Sequence, residues 1–213
     1  MVLAAGKSKN VSGPISLQYM KTGQTLIEYQ HNILKHIFPN ANLFFIVGDS
    51  HRDIYRQYRK KIRLLVNKAY QETGPLGSVE LGLSSILETR LLVISGDMFF
   101  NLSALQKVDL GESCVLFEQT KQLSDKKAGV FVENNKVINF SYGLPKKWAQ
   151  ISNLVSSELD MLYEEILKEN SEKQHIFEAF NAIIDKDGHF SALELDPYSI
   201  TDADVRKIGN VNI

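Results

Sequence analysis

The sequence predicts an α/β fold in which crossover helices connect the strands of a mostly parallel sheet. Two observations support this prediction. Short apolar runs alternate with amphipathic segments through the first half of the chain, an order typical of parallel sheets. The early apolar runs also end at glycines or polar turns, where strands leave a sheet. The length of 213 residues and the hydrophobic share of 44% suit a single domain spanning residues 1–213.

The first half of the chain contains the clearest strand and helix patterns. Thr25 is placed to cap the first helix and Pro39 to end it, and Asp49 or Ser50 can cap the second. The third helix is expected to start after Ser78, which would then be its N-cap. In chain order we expect strands at 2–5, 42–47, 62–66 and 90–95 and helices at 26–37, 52–61 and 79–87.

The second half, from residue 111 onwards, has a different pattern. Asn134-Asn135 lies between two short alternating runs and predicts a hairpin. Residues 142–152 are expected to form a loop that carries Trp148, which either anchors the core or stacks on a ligand. In chain order we expect strands at 114–118, 128–133, 136–140 and 190–195 and helices at 157–167 and 176–184.

Composition excludes several classes of function. The chain has 24 basic and 25 acidic residues and a net charge of -1, which argues against nucleic acid as the main partner. A single cysteine, Cys114, cannot form an internal disulfide and fits a reducing compartment, so we expect a cytoplasmic protein. No apolar run reaches the roughly 20 residues of a membrane span, so no membrane partner is expected.

The first candidate site is the loop after the opening apolar run. Leu3, Ala4 and Ala5 end abruptly at Gly6, and a basic stretch of Lys7, Ser8 and Lys9 follows. Small side chains let a ligand approach the backbone, and exposed N–H groups in such a loop bind anions. Phosphate is the expected guest, although an ordinary surface loop has the same pattern.

A second candidate region lies between the third strand and the third helix. Asn67 ends the strand, and a glycine-rich stretch that includes Gly74, Gly77 and Ser78 leads into the helix. A helix N-terminus of this kind is suited to bind an anion or another polar ligand. Ser78 is either a plain cap or a cap that also faces the ligand.

A third candidate is Asp97, directly after the fourth strand. Ligands of open α/β sheets bind beyond the carboxyl ends of the strands, and a single carboxylate there can hold Mg²⁺ together with a substrate phosphate. The alternative is that Asp97 forms a local turn or caps a helix ahead of Ser103.

Four stretches and the predicted hairpin, taken together, resemble one family. LAAGKS at 3–8, GQTLIEY at 23–29, residues 67–83 with Tyr70, and ISGDMF at 94–99 follow in that family's order, and AGVFVENNKVINF is similar to its acceptor-side strands. The family comprises the nucleotidyltransferases that make nucleotide-activated sugars, cholines and related phospho-compounds, and its wider group includes the molybdenum-cofactor guanylyltransferases.

The resemblance implies a Rossmann-like, GT-A-like sheet with a nucleotide-binding half, 1–110, and an acceptor-side half, 111–213. It also implies Mg²⁺-dependent transfer of a nucleotidyl group from a nucleoside triphosphate to a sugar phosphate or an alcohol phosphate such as phosphocholine, with release of pyrophosphate. The residues that it implicates fall into three groups: nucleotide-binding, Leu3, Ala4, Ala5, Gly6, Lys7, Ser8, Asn67, Gly77, Ser78 and Asp97; catalytic, Lys7, Lys9, Lys21 and Asp97; metal-binding, Asp97 and Asn212, with Asn210 and Asp196 as rivals to Asn212.

The chain departs from the family at two cationic positions. Asn10 and Ser16 stand where the family usually has an arginine and a lysine, and Lys7, Lys9 or Lys21 would have to supply the charge. This departure motivates a second hypothesis, a non-catalytic nucleotide-binding or regulatory homologue. A dinucleotide-dependent oxidoreductase is a weaker third hypothesis, because the first loop lacks the GxGxxG pattern.

Overall fold

The computed structural model describes residues 1–6, 13–20, 22–86, 88–120 and 125–202. Within these residues a nine-stranded sheet has the order β3-β2-β1-β4-β9-β6-β10-β8-β7, and β11 and β5 form a separate pair. The strands are β1 (Val2–Ala4), β2 (Phe44–Val47), β3 (Arg63–Val66), β4 (Arg90–Ser95), β5 (Met98–Phe100), β6 (Cys114–Gln119), β7 (Ala128–Glu133), β8 (Lys136–Tyr142), β9 (Lys146–Val155), β10 (Ser191–Glu194) and β11 (Ile200–Asp202).

The helices confirm most of the predicted positions. Thr25 caps the first helix in a capping box with Glu28, as its sequence position predicts. The helices are α1 (Leu26–Ile37), α2 (His51–Tyr58), α3 (Pro75–Leu83), α4 (Leu102–Gln106), α5 (Ser156–Ile166) and α6 (Ile176–Ile184), with short 3₁₀ turns at Ile15–Leu17 and Ser171–Lys173. None of the helices in the described ranges is long and apolar enough to cross a bilayer.

The first half of the sheet is parallel, as predicted. β1 pairs in parallel with both β2 and β4, and β2 pairs in parallel with β3. α1, α2 and α3 connect these strands in turn, so their carboxyl ends meet at one edge. The predicted α/β class is confirmed, and the second half adds the antiparallel strands β8 and β9.

β9 corrects the prediction of a loop at 142–152. It runs antiparallel between β4 and β6 and closes the sheet between the two halves. Its apolar pattern was hidden in the sequence because Lys146 and Lys147 open the strand and Gln150 interrupts it. Ala149 and Ile151 are nevertheless fully buried, because both neighbouring strands cover them.

Helices cover both faces of the sheet. α3, α5 and α6 pack with one set of core residues, and α1, α2 and α4 pack with the other. Alternate residues of β4 divide between the two sets, Leu91 and Val93 in one and Ile94 in the other, as expected for a sheet buried on both faces. Burial raises the pKa of Cys114 to about 11, so this thiol serves as a small apolar core residue.

The predicted cap of α3 is wrong, and the predicted cap of α2 is confirmed in position only. α3 begins at Pro75 with Gly74 as its N-cap, because proline fits the first helical position; Ser78 therefore lies inside the helix. Ser50 precedes α2 in a left-handed conformation, with φ of 51°, and makes no side-chain cap.

Candidate functional site

A cleft of about 540 Å³ opens at the carboxyl ends of β1 and β4. In the order of the sheet, β1 and β4 supply one part of the lining together with the start of α3, and β9, β8 and β7 supply the other part together with the start of α6. The lining residues are Leu3, Ala4, Ala5, Gly6, Ile15, Tyr70, Thr73, Gly74, Pro75, Ser78, Val93, Ser95, Gly96, Asp97, Lys126, Lys127, Ala128, Tyr142, Lys147, Trp148, Gln150, His175, Ile176 and Phe177.

The first loop and the turn after β4 meet directly in this cleft. The Gly96 N–H donates to the Leu3 carbonyl at 2.8 Å. A Cβ atom on Gly96 would lie 2.6 Å from the Cβ of Ala4, a distance that only glycine allows. Gly6 follows Ala4 closely in the chain, and Asp97 follows Gly96 directly. Both therefore border a single cavity.

Tyr70 forms the wall beside Ala5. A Cβ on Gly48 would lie 2.6 Å from the Tyr70 side chain and 2.5 Å from the Ala5 carbonyl. The Tyr70 hydroxyl donates to Asp49 Oδ1 at 3.3 Å, and the Asp49 N–H donates to the Ala5 carbonyl at 3.2 Å. The loop after β2 thus fixes both the end of the first loop and the aromatic ring next to it.

Asn67 organises the loop between β3 and α3 from outside the cleft. Its Nδ2 donates to Thr73 Oγ1 at 3.0 Å and to Ser78 Oγ at 3.1 Å, and its Oδ1 accepts from the Ala69 N–H at 3.0 Å. Thr73 and Ser78 line the cleft, whereas Asn67 does not. The structure therefore places Asn67 as a support for two hydroxyl groups, with its own amide already bonded to the protein.

The N-terminus of α3 is occupied by the chain itself. The Gly74 and Leu76 N–H groups donate to the carbonyls of Glu172 and Gln174, and proline at position 75 has no N–H to offer. Gly77 does not line the cleft, and a Cβ there would lie 2.8 Å from the Glu172 carbonyl. The helix terminus is therefore not the open anion site that its sequence predicts.

Asp97 is exposed at the edge of the cleft. Its Oδ1 accepts a hydrogen bond from Ser95 Oγ at 2.6 Å. It caps no helix, because the side chain that caps α4 is Asn101, which accepts from the Ala104 N–H at 3.0 Å. Across the described ranges, no three histidine, cysteine or acidic side chains converge as a ready metal cage, and Asp97 offers a single carboxylate.

Trp148 is a core anchor that also borders the cleft. Its ring packs edge-on against Phe140 at 5.5 Å and Phe180 at 5.9 Å. The indole Nε1 donates to Ser152 Oγ at 3.1 Å, and only 7% of the residue is exposed. The ring is therefore held in the core, which favours the first of the two predicted roles.

Three further aromatic residues line the part of the cleft that β8 and α6 supply. Phe177 stacks with His175 at 5.5 Å and meets Tyr142 edge-on at 5.3 Å. They come from the end of β8 and the start of α6, so no local motif joins them. The sequence signal for them is only that they lie near the start of a predicted helix and near the end of the predicted hairpin.

Gln150 has an unusual backbone in the middle of β9. Its φ of 56° is left-handed, and the pairing of β9 with β6 shifts register around it. The side chain lines the cleft, and its Nε2 lies 3.8 Å from Met98 Sδ. Strained residues of this kind cluster at functional sites, and the bulge aims Gln150 towards the end of β4.

Residues 1–108 match the family model of the MobA-like NTP transferase domain. The chain belongs to this family. The resemblance recognised from the sequence is therefore confirmed at family level. No curated protein matches the sequence significantly.

Solved structures with the same fold extend over nearly the whole chain. The CTP:phosphocholine cytidylyltransferase from Streptococcus pneumoniae covers 97% of this chain and 95% of its own, with a TM-score of 0.77 and 18% identity. A putative glucose-1-phosphate thymidylyltransferase from Bacillus anthracis covers 100% and 95%, with a TM-score of 0.77 and 16% identity. The inositol-1-phosphate CTP transferase from T. maritima covers 91% and 83%, with a TM-score of 0.71 and 18% identity.

Several predicted site residues of this NTP transferase domain fall outside the described ranges. They are Lys7, Ser8, Lys9, Asn10, Lys21, Asn210 and Asn212. Ser16, at the position where the family usually has a lysine, is described: it is 1% exposed, does not line the cleft, and its Oγ has no hydrogen-bond partner among the described residues. Asp196 pairs with Lys107 at 3.2 Å and does not line the cleft either.

Proposed function

We propose that this NTP transferase domain moves a nucleotidyl group from a nucleoside triphosphate to a phosphorylated small molecule and releases pyrophosphate. The observation that carries the proposal is the contact between the ends of β1 and β4. It puts the small-residue loop, Ala4 to Gly6, and the carboxylate of Asp97 in one cavity. Membership of the NTP transferase family supplies the reaction class.

The nucleotide would bind on the β1 and α3 side. Ala4, Ala5 and Gly6 leave the backbone open to close approach, and Tyr70 closes one end of the cavity. Ser78 Oγ already accepts from Asn67, so its own proton remains to be donated to a ligand. The hydrogen bonds that distinguish one nucleotide base from another would then come from Ser78 and from backbone groups.

Mg²⁺ fits the donor set that Asp97 provides. The ion takes oxygen ligands, keeps several waters and shares its coordination between one or two carboxylates and substrate phosphates. Asp97 is exposed to the cleft and touches only the Ser95 hydroxyl in the described part of the chain. Asn212 is the second ligand that the resemblance implies. When bound, Mg²⁺ would neutralise negative charge on the phosphates.

The reaction would need no covalent intermediate. A phosphate oxygen of the acceptor forms a bond to the α-phosphorus, the bond from that phosphorus to the bridging oxygen breaks, and pyrophosphate leaves with the electron pair. The protein's contribution would be position and charge. Lys7, Lys9 and Lys21 are the predicted cations on the nucleotide side, and Lys147 lines the opposite side.

The acceptor would bind against Tyr142, Phe177 and His175. Two of the structural neighbours are named for acceptors that carry a phosphate on a ring, inositol 1-phosphate and glucose 1-phosphate, and a third for phosphocholine. For this chain, a sugar phosphate or an alcohol phosphate such as phosphocholine is the proposed acceptor class.

Pyrophosphate release tests the proposal. The purified protein is assayed with Mg²⁺, each of the four common nucleoside triphosphates and a panel of sugar and alcohol phosphates. Asp97→Ala should lower the rate by about 10²–10³, the usual loss when one electrostatic partner of the transition state is removed. Asp53→Ala is the matched control, because Asp53 is an exposed acid on α2 that pairs with Arg56 and does not line the cleft. Full activity in Asp97→Ala would contradict the proposal.

A second candidate, a non-catalytic nucleotide-binding homologue, has one specific observation in its favour. Ser16 stands where the family usually has a lysine, and its side chain is buried away from the cleft. In that case nucleoside triphosphates would raise the melting temperature while no acceptor in the panel produced pyrophosphate.

A further inference from the structure

The turn that carries Asp97 is held by a side chain from the first helix. Gln30 lies in the middle of α1 and is completely buried. Its Nε2 donates to the Gly96 carbonyl at 3.2 Å and to the Met98 carbonyl at 2.8 Å. These two carbonyls belong to the residues immediately before and after Asp97.

The orientation of the Gln30 amide follows from its partners. Carbonyl oxygens only accept hydrogen bonds, so the nitrogen, with its two protons, must face them. The Oε1 atom is then left buried with no partner among the described residues. An unsatisfied buried acceptor is unfavourable, and such a group in a folded protein calls for an explanation.

Packing alone does not explain a glutamine at this position. Gln30 stands one turn from Leu26 and one turn from Leu34, both buried on the same face of α1. An apolar side chain would continue that face without leaving an unpaired oxygen. The two hydrogen bonds to the turn are what glutamine adds there.

The neighbouring residue of α1 extends the same interaction. The Tyr29 hydroxyl donates to the Phe100 carbonyl at 2.9 Å, and the Tyr29 ring stacks on Phe99 at 4.8 Å. α1 therefore fixes the chain from Gly96 to Phe100 on one side, and the Leu3 carbonyl fixes the Gly96 N–H on the other. The backbone on both sides of Asp97 is tied to α1 and β1.

We infer that Gln30 is a positioning residue for Asp97, which it holds at the edge of the cleft through the two flanking carbonyls. This inference rests on the proposed function, in which Asp97 is a metal ligand. Residues that orient a metal ligand typically change metal affinity by about 10–100-fold when they are replaced, although they touch neither metal nor substrate.

Gln30→Met tests the inference, because methionine has a similar unbranched shape and no N–H donor. Gln30→Leu is the second variant should Gln30→Met fold poorly. Leu34→Ala is the matched control: it damages the same buried face of α1 one turn away, and a leucine side chain donates no hydrogen bond to the turn. Hydrogen exchange of the backbone amides at 96–100 is measured in the absence of metal, at matched loss of global stability.

We expect Gln30→Met to raise exchange in this segment roughly tenfold above the Leu34→Ala control, as local release of the turn requires. In the pyrophosphate assay, the Mg²⁺ concentration for half-maximal rate should rise at least about tenfold, with a smaller change in the KM for the nucleotide. Combining Gln30→Met with Asp97→Asn should add little to Asp97→Asn alone, because both changes act through one carboxylate.

Exchange and Mg²⁺ dependence in Gln30→Met that equal those of the Leu34→Ala control would overturn the inference and leave Gln30 as an ordinary core residue. The failure of the proposed function has a different signature. The unmodified protein would then release no pyrophosphate with any substrate pair, while the exchange experiment would still decide whether Gln30 holds the turn of Asp97.

Discussion

The two walls of the cleft are built from different kinds of groups. On the β1 and β4 side, much of the lining is backbone and small side chains, such as those of Ala4, Gly6 and Gly96. On the β8, β9 and α6 side, it consists of long side chains, among them Tyr142 and Phe177. In the first wall, Gly96 lies so close to β1 that it admits no Cβ atom, whereas the second wall is shaped by side chains that a single substitution can replace.

This difference separates what the fold can determine from what the individual chain determines. A wall of backbone groups offers the same N–H and C=O pattern whatever the sequence around it, which suits a triphosphate. A wall of side chains sets shape and polarity residue by residue, which suits selection of the acceptor, because function on a shared fold is decided by the residues of the site. Substitutions in each wall test this difference.

The largest effect is expected from adding a methyl group to the backbone wall. Gly96→Ala would bring a Cβ to 2.6 Å from Ala4 Cβ and 2.8 Å from the Leu3 carbonyl, so the strand ends must move apart. Overpacking of this kind costs about 1–3 kcal/mol, measured as the free energy of unfolding in urea. Gly6→Ala is the control, because a Cβ there meets no described residue within 4 Å. Equal losses in the two variants would contradict the close contact between β1 and β4.

The next largest loss of stability is expected at Gln150, a residue of the second wall with a left-handed backbone. Gln150→Gly should keep the stability of the protein, because glycine adopts a φ of 56° without strain. Gln150→Val should lower the free energy of unfolding by about 1–3 kcal/mol, the usual range for a residue forced into a rare conformation. Urea denaturation of the two variants measures the difference. A valine variant as stable as the glycine variant would show that β9 has no left-handed bulge.

Substitutions in the two walls should raise different Michaelis constants, one for the nucleotide and the other for the acceptor. Asn67→Ala removes the support of Thr73 and Ser78 and should raise the KM for the nucleotide about tenfold, equivalent to about 1.4 kcal/mol. Tyr142→Ala should raise the KM for the acceptor by a similar factor and leave that for the nucleotide unchanged. Steady-state kinetics with each substrate varied in turn measures both. Parallel changes in the two constants would mean that the walls do not act separately.

The smallest effect is a pH dependence that belongs to the acceptor-side half. Burial alone would raise the pKa of Glu158, but hydrogen bonds from the His189 N–H and the Ser113 hydroxyl outweigh it and lower the pKa below its usual value. The folded state therefore binds its proton less tightly than the unfolded state, and the resulting stability is lost as pH falls through the lowered pKa.

Glu158→Gln should consequently lose less stability than the unmodified protein between pH 6 and a pH below that lowered value. Urea midpoints across this range provide the measurement, and Glu172→Gln, a change outside α5, serves as the comparison. Identical pH profiles for Glu158→Gln and the unmodified protein would remove Glu158 as the titrating group.

The sequence predicts the parallel half of the fold well, because each of its elements has a local signal. β4 is found at the residues expected for it, Arg90–Ser95, and α1 at Leu26–Ile37, since both have clear apolar periods and clear ends. The meeting of the first loop with the turn of Asp97 also follows from local pattern, because the carboxyl ends of adjacent parallel strands share one edge.

The elements that the sequence missed depend on contacts between distant segments. The alternation of β9 is broken at Gln150, so its sequence predicts a loop, and its neighbours β4 and β6 make it a strand. α3 starts at Pro75, earlier than predicted, because the carbonyls of Glu172 and Gln174 accept from its first turn. Gln30 has one local signal, a polar residue on the buried face of a helix, but its partners at Gly96 and Met98 are distant in the sequence.

Paramagnetic broadening by bound Mn²⁺ shows whether the ends of β1 and β4 share one metal and triphosphate site. Mn²⁺ accepts the same oxygen ligands as Mg²⁺, and it is added with a non-hydrolysable nucleoside triphosphate while the backbone amide signals of Gly6 and Gly96 are followed by NMR. If they do, both signals should broaden together, and Asp97→Ala should abolish the effect on both. Broadening at Gly96 without broadening at Gly6 would contradict a single metal and triphosphate site shared by β1 and β4.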